Sequence, residues 1–353
     1  MSSEGSAVRL PESALRQRSP RPAPELQPPA PPILVCLDRS SLSEQSLPHA
    51  LSLAAALGSA VTFVHVMQHA RDQAAPQNAD ALGWEIARQE ARGELEQLQE
   101  RAEAQLGRTV EVRLEQGRPS ERIAELVREL GAAMIVLGGR GERGSASPGL
   151  GSTALEILAA APCSVFIAHP RAGEDGLTAP KRILVPLDGS VRTEAALAMA
   201  TRIARHSGAA LVLVHVVEEP VLNLVLRADR GLELARELAG YLERGAARYL
   251  EGLREKLCAE GAAVRALVLR HANPRQGLLE LAQKEQIDLI VLSAHGAACD
   301  PARSFGGVAA DLLAHAVVPL LALQDLPGGE LLRAQPEGGS LAGPLARGSS
   351  GRS

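Results

Sequence analysis

The chain states one pattern twice. "ILVCLDRS" at Ile33 to Ser40 returns as "ILVPLDGS" at Ile183 to Ser190, 150 positions later, and "VTFVHVM" returns at that offset as "LVLVHVV". Farther on, "GRPSERIAELV" and "AAMIVLGGRG" correspond to "ANPRQGLLELA" and "IDLIVLSAHG", at an offset of 155. A unit of about 140 residues is a domain rather than a solenoid repeat, so the sequence predicts two copies of one fold.

Within a copy, short apolar β-branched runs alternate with helical patterns. "PILVCLD", "AVTFVHVM", "VEVRLEQG", "AAMIVLGG" and "SVFIAH" read as strands. Between them lie a helix opened by "RSSLSEQSL" and running to about Leu57, a long charged helix from about Trp84 to Leu106, and "PSERIAELVREL", whose Pro-Ser marks a helix start. Strands alternating with helices imply right-handed crossovers and a mainly parallel five-stranded sheet with helices on both faces. The fold class is therefore α/β, two Rossmann-like domains in tandem. The boundaries predicted are a Pro-rich disordered arm over 1–32, domains over 33–170 and 181–325, a linker over 171–180 and a disordered tail over 326–353.

Several function classes fall away. The net charge of -4 gives no basic field for nucleic acid or an anionic membrane surface. Cys36, Cys163, Cys258 and Cys299 show no CxxC or Cys/His spacing, so no zinc site is expected. The Pro-, Ser- and Arg-rich start lacks the apolar core of a secretory signal, which points to the cytoplasm. Gln45 to Ala70 carries no Asp, Glu, Lys or Arg, but Gly58-Ser59 divides it and three histidines lie within it, so it reads as buried core rather than a membrane span.

In such sheets ligands bind beyond the C-terminal strand ends, where strand order reverses. Three clusters should meet there. Asp38, repeated as Asp188, suits either a ribose contact or a helix cap, and the roles are compatible. The stretch "GGRGERGSASPGLGST" places Gly138-x-x-Gly141, nine residues, then Gly151-Ser152-Thr153 between a strand and a helix. Glycine lets backbone approach an anion, a helix start offers unpaired N–H groups, and Ser152, Thr153, Arg140 and Arg143 add donors; the other reading is a surface loop whose glycines mark turns. Gly139-x-Gly141-x-x-Gly144 matches a dinucleotide fingerprint only formally, because it follows a fourth strand and Pro148 intervenes. The third cluster, His65-Val66 and His215-Val216, fits satisfied core histidines better than ligands.

Together, "ILVxLD", "VHV", the Gly117-x-Pro119 turn and the spaced glycines resemble the universal stress protein family in its tandem form, over about 33–169 and 181–324. The resemblance implies a five-stranded Rossmann-like domain that binds ATP, with or without Mg, in nucleotide-binding members. Carried over by position, Cys36, Asp38 and Val66 would line adenine and ribose, Leu137 and Gly138 would pass the ribose, and Gly141, Gly151, Ser152 and Thr153 would hold phosphates. A weaker second site would use Pro186, Asp188, Val216, Leu292, Gly296 and Gly306, its pattern degraded by Ser293, Gly307 and Val308. The family's fifth strands commonly pair, implying an internal pseudo-dimer or a homodimer. The expected function is ATP-dependent regulation in a stress response without fast turnover; the alternatives are a nucleotide-free interaction module, a slow ATPase or, least favoured, adenylyl transfer.

Overall fold

A computed structural model describes residues 30–44, 46–68, 81–139, 150–169, 179–218, 229–296, 304–315 and 317–324. The first half runs β1 (Ala30–Cys36), α1 (Ser41–Glu44), α2 (Leu47–Leu57), β2 (Ser59–Met67), α3 (Ala81–Leu106), β3 (Val110–Gln116), α4 (Pro119–Leu130), β4 (Met134–Gly138), α5 (Ser152–Ala160) and β5 (Ser164–Ala168). The second runs β6 (Arg182–Pro186), α6 (Val191–Ser207), β7 (Ala210–Glu218), α7 (Asp229–Ala259), β8 (Val264–His271), α8 (Pro274–Lys284), β9 (Leu289–Ser293), α9 (Gly307–His315) and β10 (Leu320–Leu323).

The local reasons are visible in the residues. Helix α4 has Pro119 in its first turn, buries Ile123, Ala124, Leu126 and Val127 along one stripe, and stops at Gly131, whose φ of 61° is left-handed. The single helix expected to run to Leu57 is instead broken into α1 and α2. Pro48, in the first turn of α2, has no N–H to continue a ladder from α1, and Ser46 and Ser43 hydroxyls donate to the carbonyls of Ser43 and Ser40 across the break. The second copy has Ala198 there and α6 runs unbroken for 17 residues.

All ten strands form one sheet in the order β3-β2-β1-β4-β5-β10-β9-β6-β7-β8. Every neighbouring pair is parallel except β5 and β10, where Phe166 faces Leu321. Those two positions are equivalent at the 155 offset, so a pseudo-twofold axis passes between them and the halves join through their fifth strands. The C-terminal edges of the two half-sheets consequently point in opposite directions.

The sheet is covered on both faces. One core layer packs α2, α3, α6 and α7 against Val35, Phe63, Phe166, Val185 and Leu213; the other packs α4, α5, α8 and α9 against Leu34, Val64, Ile135, Ile167 and Leu184. Across the axis, Arg202 of α6 donates to the Leu57 carbonyl at 2.6 Å, supplying a partner at the C-terminus of α2. The uncharged stretch becomes α2 and β2, and among the described residues no helix is long and apolar enough to cross a membrane.

Candidate functional site

The order β3-β2-β1-β4-β5 reverses between β1 and β4, so the crevice beyond their C-terminal ends is where a ligand is expected. On its floor, half-buried Cys36 and Val66 pack into the same layer as buried Leu137, with Leu150 and Ala154 from the approach to α5 and its first turn. The three predicted apolar positions of the first site are thus brought together. Burial pushes the Cys36 thiol well above its ordinary range, which favours the neutral thiol as a wall of the crevice.

Asp38 shapes the turn before the helix, and the capping bond itself belongs to Ser40, whose Oγ accepts from the Ser43 N–H at 3.0 Å. Asp38 Oδ1 accepts from the Ser40 N–H at 3.0 Å and from the Ser40 hydroxyl at 2.5 Å, and Asp188 repeats the arrangement with the Ser190 N–H at 2.9 Å and the Thr193 hydroxyl at 3.3 Å. These bonds turn the chain from strand into helix. The next residue is Arg39, with a left-handed φ of 65°, where the second copy has Gly189 at 81°. Its guanidinium reaches α3 and grips the Glu94 carboxylate at 2.5 and 2.6 Å, holding that acid below the usual carboxylate range. The sequence reading missed this contact, although the Asp-Gly pair in the second copy signals the left-handed position.

His65 and His215 are core histidines. Each ring Nδ1 lies on the carbonyl of the residue before the aspartate, Leu37 at 2.7 Å and Leu187 at 2.8 Å. A carbonyl only accepts, so Nδ1 carries the proton. Burial lowers the pKa of His65, and nearby Arg39 pushes the same way against the Leu37 bond. Among the described residues no three His, Cys, Asp or Glu side chains gather as a metal site; His69 lies outside those residues.

Gly138 ends β4 half-buried. Gly139 is more than a turn residue: a Cβ there would meet His169 Nδ1 at 2.5 Å, so the glycine makes room for that ring. Gly141, Arg140 and Arg143 lie outside the described residues. At the far side of the loop Gly151 is the N-cap of α5 in extended conformation, no side chain among the described residues caps the first turn, and Ser152 and Thr153 are exposed. The backbone N–H groups of this first turn and the two exposed hydroxyls lie at the positive end of a helix dipole, beside the apolar floor.

The second half assembles the same floor from Val216 and buried Leu292 in the corresponding layer, with half-buried Pro186 at the end of β6. Its rim is different. The Gly306 N–H donates to the Ala294 carbonyl at 2.8 Å, a bond the Gly151 N–H does not make to Gly139 among the described residues. His295 is buried next to Gly306, and the loop approaches Asp188 so closely that a Cβ on Gly296 would lie 2.5 Å from its Oδ2. Gly296 thus lies against Asp188, and Gly306 against Ala294 and His295.

The sequence pattern of the universal stress protein family matches residues 30–169 and 180–324. The chain belongs to that family. Universal stress proteins of Mycobacterium tuberculosis and Mycobacterium bovis are 36% identical over 122 residues, a stretch covering 32% of this chain and 41% of each relative. The chain thus aligns with less than half the length of these curated relatives. A crystal structure of a universal stress protein from Archaeoglobus fulgidus superposes with a TM-score of 0.59 at 19% identity, covering 83% of this chain and 98% of that one. A functionally unknown Pseudomonas aeruginosa protein gives 0.53 at 18% identity, covering 86% and 94%. At such identities these structures speak for the tandem universal stress fold alone.

Proposed function

We propose that this universal stress protein binds ATP in its first half and acts through the bound state as a regulatory protein, without fast turnover. The observation that supports this best is the juxtaposition of the apolar floor, Cys36, Val66 and Leu137, with the glycine-capped first turn of α5. Adenine would lie on the floor with Asp38 and Gly138 beside the ribose, and the N–H groups of Gly151 to Thr153, with the two hydroxyls and Gly141 of the loop, would meet the phosphates. Mg, where present, would neutralise phosphate charge. The chain's only lysines, Lys181, Lys256 and Lys284, stand outside these motifs, so the lysine of a P-loop has no counterpart in them.

In the second half the Gly306 N–H is already bonded, and Gly307 and Val308 replace the serine and threonine. One nucleotide per chain is the expected outcome. Calorimetric titration of the full chain with ATP, with and without Mg, tests it, alongside mass spectrometry of any ligand released on denaturation. Ser152→Ala with Thr153→Ala should weaken binding by about twofold to tenfold per hydroxyl. Two equal sites would overturn the assignment of domains. An ATP-free protein with no binding and no thermal shift would replace this reading with the nucleotide-free interaction module.

A further inference from the structure

Two residues of the second half, Ser304 and Gln324, bond to the first. The Ser304 hydroxyl donates to the carbonyl of Ala159 at 3.1 Å, in the last turn of α5. The Gln324 side-chain amide donates to the Ser304 carbonyl at 2.9 Å, and the Gln324 N–H donates to the Ser164 hydroxyl at 3.1 Å, where β5 begins. Near Ser304, the Gly306 N–H donates to Ala294 O at 2.8 Å and the Ala294 N–H to Leu323 O at 2.6 Å, tying the start of α9 to the end of β9 and to β10.

Helix α5 needs such an anchor. It is nine residues long, buries Ile157 and Leu158, has no basic residue in its last turn, and ends at Ala161 rather than at a glycine. Helices this short are not stable alone, and their last carbonyls seek outside partners. From Ala159 the helix runs back roughly 10 Å, at about 1.5 Å per residue, to Ser152 and Thr153.

We propose that Ser304 and Gln324 are positioning residues for the first half's phosphate-binding turn, so that the second copy, its own Gly306 N–H already bonded, serves as a bracket for the site in the first. The proposal rests on the ATP reading given above. The bracket acts one way. At the 155 offset the reverse contact would need Gly149 and Pro319 in place of Ser304 and Ser164, and neither side chain carries a hydroxyl. By linkage, ATP seated on α5 must in turn tighten the bond to Ser304.

The test uses the full chain with Ser304→Ala, Ser304→Thr and Gln324→Leu. Amide hydrogen exchange, without nucleotide and with ATP, follows residues 155–161 and 304–306, and calorimetry follows ATP affinity. Ser304→Ala and Gln324→Leu should speed exchange at 157–161 without nucleotide and weaken ATP by about twofold to tenfold, the effect expected of one hydrogen bond. Ser304→Thr, which keeps the hydroxyl, should restore both, and ATP should slow exchange at 304–306 in the native chain but not in Ser304→Ala. Faster exchange with unchanged ATP affinity, or equal impairment by alanine and threonine, overturns the proposal. If the native chain binds no ATP, the functional reading fails first, and unchanged exchange in the nucleotide-free Ser304→Ala variant removes the bracket as well.

Discussion

Placing a methyl group on Gly139 probes the end of β4 directly. The added Cβ would lie 2.5 Å from Nδ1 and 2.6 Å from Cε1 of His169, and 3.1 Å from the Ala168 carbonyl oxygen. The backbone has no easy retreat, because the Gly139 N–H donates to that same carbonyl at 2.8 Å. Either the ring rotates out or the strand end shifts, and overpacking of this kind costs about 1 to 3 kcal/mol. For a chain of this size that is a fall in melting temperature of about 2 to 10 °C. The second copy shows the remedy: the equivalent positions hold Ala294 and Gln324. His169→Gln should therefore rescue Gly139→Ala, with a coupling of about 1 to 2 kcal/mol in a double-mutant cycle. Urea unfolding of the four proteins, compared by midpoint at constant slope, measures it. A Gly139→Ala variant within about 0.5 kcal/mol of the native chain, or one that His169→Gln fails to improve, refutes the steric argument.

Two further expectations concern the core and the seam. Because burial lowers the pKa of His65 in the folded state, protons bind the unfolded chain more readily; its contribution to stability is intact above the unfolded value of about 6.5 and is lost as pH falls toward the folded one. His65→Asn keeps a donor for the Leu37 carbonyl but cannot titrate, so the loss of stability between about pH 7.5 and 5.5 should shrink in urea unfolding at stepped pH; an unchanged slope contradicts it. Arg202→Met should cost about 1 to 2 kcal/mol by removing a charged donor from the end of α2, and hydrogen exchange should quicken at residues 54–58. Native-like exchange there would mean that water replaces the guanidinium at no cost.

Much of the fold could be read from short-range pattern. The repeat located both halves, and α4 runs over the residues expected, because its proline, apolar stripe and closing glycine all lie within 13 consecutive positions. The break between α1 and α2 was also written in the chain, as Pro48, but the apolar run around it dominated the reading. Arg39 shows the converse: an arginine in a left-handed turn carries no local signal, and only its alignment with Gly189 reveals it. Long-range contacts around the candidate site were not legible. His169 lies 30 residues beyond Gly139, and Ser304 lies 145 beyond Ala159, so only the β5–β10 pairing brings the latter together. The floor and the helix start of the first site were legible as types of residue at fixed spacing; their convergence needed the sheet.

The antiparallel seam between β5 and β10 has a consequence for how such a chain changes over time. Two separate subunits would part on dilution, whereas strands tethered on one chain meet at an effective concentration on the order of millimolar or above. The seam then persists however scarce the protein becomes. A substitution that spoils ligand chemistry in the second half leaves assembly intact so long as β10 and its loop still dock, which frees that half to diverge while the first retains its motif.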